Sequence, residues 1–205
     1  FSVPRLIIYN QIEDGFIYAD IDINNIKEGK TDFEYRVKGK ISEGKVNLLN
    51  NIKIEDINFT FNIEDKKYAI KKSTFNYEQI NFSSKEILIN RIENNYEIKG
   101  DLENKEGQID KNFLSKIFSL NIDFIENKKI LASSNNKFKF KINSKNKIKD
   151  LNLDSKINFK EIFINKKIQN LIYLQNGTIT SSYKNNNLNI NIDSGYSFLK
   201  DNYKN

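Results

Sequence analysis

The chain has 205 residues, 38% of them apolar, and a formal charge of +6 from 33 basic against 27 acidic side chains. It contains no His, Cys, Met or Trp, and its single proline is Pro4. That inventory excludes a disulfide framework, a thiolate or imidazole metal site and a cysteine or histidine nucleophile-base pair.

Taken from the N-terminus, the first apolar run is Leu6-Ile7-Ile8-Tyr9, far short of the roughly 20 residues needed to cross a bilayer as a helix. A chain that opens on Phe1 rather than methionine is expected to be a fragment of a longer protein. Period-2 alternation then dominates. Phe33, Tyr35, Val37, Gly39 and Ile41 fall on one face, with Glu34, Arg36, Lys38 and Lys40 on the other. Ile57-Asn58-Phe59-Thr60-Phe61-Asn62-Ile63 repeats the pattern with Asn and Thr between apolar residues. It returns at Tyr96, Ile98, Gly100 and Leu102, at Leu120, Ile122 and Phe124, at Phe138, Phe140 and Ile142, at Leu151 through Phe159, and at Leu188, Ile190 and Ile192. Such alternation marks strands with one wet and one dry face. Polar connectors separate the runs at 64–67, 93–95, 143–146 and 184–187, short enough to join antiparallel neighbours. The units recur about every 20 to 25 residues without a shared residue signature.

Two segments depart from this reading. Asp110 is a fitting N-cap for a short helix near 111–118, with Phe113, Leu114, Ile117 and Phe118 at helical spacing. Phe159 to Leu174 also fits a helix through Phe163, Lys167 and Leu171, although Glu161 to Ile164 fits a strand equally. No Gly/Pro/Ser linker marks a boundary, so residues 1–205 read as one repetitive β domain, with a possible seam near 126–136. The expected fold is an all-β antiparallel meander of amphipathic strands. It is expected to curl into an elongated open groove, β-taco or solenoid-like, with the one short helix.

Catalytic equipment is lacking. Asp20, Asp22 and Asn24 share a face at calcium-like spacing but lack the glycine and distal glutamate of an EF-hand, and read as a solvated strand face. Ser83-Ser84 and Ser133-Ser134 have no histidine to activate them and no glycine-flanked elbow. The eight glycines form no phosphate-binding loop. Lys137, Lys139 and Lys141 alternate with Phe138, Phe140 and Ile142, the solvent face of a strand rather than a nucleic-acid patch. The chain is therefore expected to be no enzyme, to need no cofactor and to bind no metal or nucleic acid.

Fifteen Phe and ten Tyr are left to explain. Alternation admits two uses for them: the closed core of a structural or adhesive sandwich or solenoid, or the open inner face of a single sheet that holds acyl chains. An outer-membrane barrel fragment is disfavoured because the alternating runs are shorter than the 9 to 11 residues of a membrane strand.

Residues 44–61, from Gly44-Lys45-Val46-Asn47-Leu48-Leu49 to Ile54-Glu55-Asp56-Ile57-Asn58-Phe59-Thr60-Phe61, begin a recurrent phrase. It continues in Asn95-Tyr96-Glu97-Ile98-Lys99-Gly100-Asp101-Leu102 and returns at Leu174-Gln175-Asn176-Gly177-Thr178-Ile179-Thr180. Together these resemble the AsmA-like superfamily of bacterial envelope proteins, particularly its YhdP-type and TamB-type members. The resemblance implies a segment of a periplasm-spanning protein anchored to the inner membrane by parts of the chain outside this sequence. It further implies a hydrophobic groove that carries phospholipid or another acyl lipid between membranes, and no catalytic residues. The side chains expected to line that groove are Phe59, Phe61, Ile63, Ile98, Leu102, Phe138, Phe140, Leu151, Leu153 and Ile157.

Overall fold

The apolar alternation of this sequence changes phase inside almost every strand, and the backbone shows why. In β3 (Ile52–Glu64), Ile54 is even-numbered but Ile57, Phe59, Phe61 and Ile63 are odd, and Asp56 between them has φ +51°. In β2 (Glu34–Leu48), Val37, Gly39 and Ile41 give way to Gly44 and Val46 across Glu43, at φ +57°. In β4 (Lys67–Tyr77), Tyr68 and Ile70 give way to Phe75 and Tyr77 across Lys72, at φ +52°. A left-handed residue adds one position to the strand, which returns the next apolar side chain to the dry face. In a computed structural model, which describes residues 12–24, 34–48, 52–64, 67–112, 123–144, 147–165 and 172–198, these slips interrupt no strand. The strands run from 11 residues in β4 to 17 in β8 (Ile148–Ile164).

This corrects the expectation of short strands. Runs of five to seven alternating residues are halves of longer strands joined at a bulge, so strand length no longer counts against a membrane barrel. Ten antiparallel strands follow one another as neighbours from β1 (Ile12–Asn24) to β10 (Asn187–Phe198), in a sheet that is open and not closed into a barrel. The remaining strands are β5 (Ile80–Ile92), β6 (Asn95–Asp110), β7 (Lys129–Ile142) and β9 (Ile172–Lys184). The all-β antiparallel meander is thus the observed fold.

Tight connections hold it. Glu78 and Gln79, both at positive φ, turn β4 into β5, and Asn185 and Asn186 do the same between β9 and β10. Two central residues with φ > 0 are the geometry whose twist matches that of antiparallel strands. The asparagine pair is typical of such turns; Glu78-Gln79 is not, and no turn was expected there.

Helix is nearly absent among the described residues. Asp110 does act as a cap, its Oδ1 accepting the Asn112 N–H at 2.7 Å, and Lys111 and Asn112 are helical. The rest of the helix expected near 111–118 lies outside the described residues. So does the strand expected over Leu120 and Ile122, while Phe124 sits in a turn. The helical alternative over Phe159 to Leu174 is overturned where the structure describes it: Phe159 to Ile164 finish β8 and Ile172 to Leu174 begin β9. Cross-strand pairs such as Phe163 on Tyr173, stacked at 4.6 Å, favour the strand.

The chain divides into two compact units. Unit 1 comprises residues 1–102 and 137–152, and unit 2 residues 103–136 and 153–205, so the division cuts β6, β7 and β8. In unit 1 the bulges of successive strands are neighbours. Gly15 (φ +136°) lies beside Gly44, where a Cβ would come within 2.9 Å of the Gly44 Cα, and Gly44 is paired with Ile57. Asparagine side chains mend the interrupted ladder. Asn58 accepts the Glu43 N–H at 3.1 Å and donates to the Asp56 carbonyl at 2.8 Å, and Asn76 donates to the Asp56 carboxylate at 2.6 Å. In β5 the slip falls at Lys85 and Glu86, whose N–H groups both donate to the Asp101 carboxylate, at 3.2 and 3.4 Å. The backbone N–H groups of Glu43, Lys85 and Glu86 thereby keep partners.

In unit 2 the connection after β6 is pinned to the end of β8. Glu126 N–H donates to the Phe163 carbonyl at 2.8 Å, Asn165 N–H to the Phe124 carbonyl at 2.8 Å, and Asn127 Oδ1 accepts the Phe163 N–H at 2.7 Å. Among the described residues, Ile125, Ile130, Ala132, Ile109, Phe159 and Ile162 are the buried apolar side chains of this unit, against Ile80 and Phe82 in unit 1. The better-formed core is therefore that of unit 2.

Candidate functional site

The apolar face of unit 1 is built from rows that cross the sheet. One row runs Ile21, Val37, Ile63, Tyr68, Ile89 through directly paired positions of β1 to β5, and the next runs Ala19, Gly39, Phe61, Ile70, Ile87. Each row spans four strand spacings of about 4.8 Å. Phe59 and Phe61 meet edge-on at 6.3 Å, Phe138 and Phe140 lie 5.9 Å apart, and Phe75 stacks on Phe82 at 5.4 Å. Among the described residues no large side chain is fully buried, so the face is lined without being sealed.

All ten residues expected to line a groove are strand residues, and all are half-buried. Phe59, Phe61, Ile63, Ile98, Leu102, Phe138, Phe140 and Leu151 fall in unit 1. Leu153 and Ile157 fall in unit 2, where they pair with Tyr183 and Ile179 of β9. The structure brings Phe59, Phe61 and Ile63 together on β3 and joins Phe138 to the β6 residues through Gly100: a Cβ there would lie 3.1 Å from the Phe138 Cζ.

That contact belongs to a pattern the sequence reading missed. Phe61 covers Gly39, its direct partner, and Phe159 covers Gly177 in the same way; a Cβ would approach the two rings to 2.5 and 2.2 Å. A ring laid over a glycine recovers the apolar contact that the missing side chain forfeits. The signal was present in the sequence, since each glycine stands in an apolar phase position of its strand.

The dry face also carries hydroxyls. Ser73 and Ser84 are directly paired and buried, and neither Oγ has a hydrogen-bond partner. In unit 2 the buried Asn104 donates to the Ala132 carbonyl at 3.3 Å and to the Lys105 carbonyl at 2.8 Å, and accepts from Ser134 Oγ. The chain has no histidine to act as base toward these serines.

The opposite face is polar and laced with cross-strand ion pairs: Arg36 with Glu64 at 2.6 Å, Lys71 with Glu86 at 3.4 Å, Lys139 with Glu97 at 2.9 Å and Lys141 with Asp150 at 2.8 Å. Hydrogen bonding from Lys139 holds the Glu97 carboxyl below the usual carboxylate range, and Lys141 does the same for Asp150. Of the three alternating lysines, Lys139 and Lys141 are thus paired with acids. Asp20 and Asp22 stand across from Lys38 and Arg36. Among the described residues no group of three His, Cys, Asp or Glu is placed to hold a metal ion, and no helix is long and apolar enough to cross a membrane.

No protein-family model matches the chain, no curated protein matches it in sequence, and no solved structure matches it in fold.

Proposed function

We propose that this chain is a non-enzymatic lipid-handling segment of the AsmA-like kind, part of a periplasmic protein anchored to the inner membrane. Its apolar face would hold phospholipid or other acyl chains on their way between membranes. One observation carries the reading: the face of unit 1 is paved with Phe, Ile and Tyr across successive strands, yet among its described apolar side chains only Ile80 and Phe82 are buried. A face this apolar and this little covered gains by meeting another apolar surface. Ten methylenes withdrawn from water against it contribute about 8 kcal/mol before the cost of immobilising the lipid. Half-buried rows of aliphatic and aromatic side chains suit a ligand recognised chiefly by its tails.

The test is native mass spectrometry with lipid extraction on the chain purified from a bacterial envelope in a non-displacing detergent. Phe61 covers Gly39, so replacing it would strike fold and face together. Phe140→Asp is the better variant, with circular dichroism as the check on folding. Co-purified phospholipid that is lost in a folded Phe140→Asp chain supports the reading. A folded, lipid-free parent chain overturns it and favours a structural or adhesive sheet.

A further inference from the structure

We propose that Ser73 and Ser84 form a polar anchor within the apolar face of unit 1, one that binds the ester carbonyl of an acyl lipid. The site presupposes the lipid-handling face proposed above and fixes which part of the lipid that face recognises.

The two serines are direct partners across β4 and β5, and both belong to the apolar phase of their strands. The flanking positions of that phase hold Ile70 and Phe75 in β4, and Phe82 and Ile87 in β5. A pair of serines therefore stands where the pattern elsewhere places large apolar side chains. Ser73 is 6% exposed and Ser84 4%, and neither Oγ has a hydrogen-bond partner. A buried hydroxyl without a partner is unfavourable, and alanine in its place costs the fold nothing. The buried polar groups of unit 2 are treated differently, since Ser134 Oγ donates to the Asn104 side chain. A pair kept unbonded points to a partner from outside the chain.

The chemistry of the pair selects that partner. Each hydroxyl offers one O–H donor, and both are neutral. Phe75 stacks on Phe82 in the adjoining pair, so the surroundings are apolar. Lys71 and Glu86, one pair further along the strands, bond to each other on the polar face at 3.4 Å. A phosphate or free carboxylate brought to the serines would be buried as a charge against neutral groups, which is costly. An ester carbonyl is a neutral acceptor, and it lies at the root of each acyl chain. Set against the serines, it satisfies their donors while the chain it carries lies on the surrounding apolar side chains. Both hydroxyls are covered, so an arriving lipid must turn a neighbouring ring aside. Phe75, half-buried in the adjoining pair, is so placed.

The test is isothermal titration calorimetry with a short-chain diester phosphatidylcholine and its diether analogue, each below micelle formation. The two share head group and tails and differ only in the carbonyls. The parent chain is expected to bind the diester about tenfold more tightly, the worth of one to two net hydrogen bonds. In Ser73→Ala/Ser84→Ala that preference should shrink to about twofold or less, while the urea midpoint holds or rises. Ser83→Ala is the control, from the next pair, with Thr74, on the opposite phase, and it should keep the preference. Equal binding of both lipids by the parent overturns the ester anchor and leaves the lipid-handling face standing. Binding of neither lipid overturns both. A preference that survives in the double variant overturns the anchor by assigning the carbonyl elsewhere. A double variant that loses stability or fails to fold also overturns it, because the hydroxyls are then already bonded within the chain.

Discussion

Gly39→Ala offers the sharpest test of how the sheet is packed. A Cβ built on Gly39 comes within 2.2 Å of the Tyr18 carbonyl oxygen and 2.5 Å of the Phe61 Cζ. The ring is able to turn aside, but the carbonyl belongs to the backbone of β1, so β1 and β2 must move apart by about 1 Å to reach ordinary contact. Overpacking of this kind costs about 1 to 3 kcal/mol, and weakening a ladder hydrogen bond adds about 1 kcal/mol. Against this, replacing a strand glycine recovers about 0.5 to 1 kcal/mol of backbone entropy. The net expectation is a loss of about 1 to 3 kcal/mol, read as a lower urea midpoint at unchanged slope. Gly107→Ala is the internal control, because its nearest neighbour would be the Lys105 carbonyl at 3.7 Å. It should be neutral or raise stability by about 0.5 kcal/mol. If Gly39→Ala is as stable as the parent, or if both substitutions behave alike, the close approach of strands at Gly39 and the covering role of Phe61 are refuted.

Other outcomes follow from the same structure. Ser73→Ala and Ser84→Ala each remove a buried hydroxyl that has no partner, so each should raise stability by up to about 1 kcal/mol in urea melts; a loss in both would mean that the hydroxyls are bonded in solution. Glu97, with its side chain 17% exposed and its carboxyl held low by Lys139, is deprotonated in the folded chain to lower pH than in the unfolded one. Its contribution is therefore complete above the unfolded carboxylate pKa and vanishes as pH falls through the depressed folded value. Glu97→Gln should flatten the decline in stability below about pH 4, and an unchanged pH profile would show that the pair does not form. The lipid loss expected of Phe140→Asp completes the set.

The strands were legible because one rule, apolar then polar, places side chains on a sheet. Their lengths were not. A run such as Phe59-Thr60-Phe61 ends where its alternation ends, and only the backbone angle at Asp56 reveals that the strand continues in the other phase. The signal was there, as paired polar residues between out-of-phase apolar runs: Glu55-Asp56 in β3, Lys71-Lys72 in β4 and Gln175-Asn176 in β9. Lys71-Lys72 looks like a solvated connector, and only the register with Glu86 shows it to be mid-strand. The Phe159 to Leu174 segment misled for a related reason. A change of burial phase at Lys160 and Glu161 leaves Phe159 and Ile162 three apart and both buried, which imitates helical spacing. The groove residues were legible as strand positions on the apolar phase. Which glycines lie beneath which rings was not, because that depends on register between strands.

Register is also where the bulges matter most. A ladder of alternating Ile and Asn matches itself again after every second residue, so neighbouring strands of this composition have many nearly equivalent ways to align. Each change of phase breaks that translational symmetry. Glu43 must meet the Asn58 amide, and the Lys85 and Glu86 amides must meet Asp101. A two-residue slide would satisfy the apolar rows and leave these donors orphaned. The bulges thus act as the notches of a key, letting a chain written in a nearly two-letter alphabet find a single alignment among many.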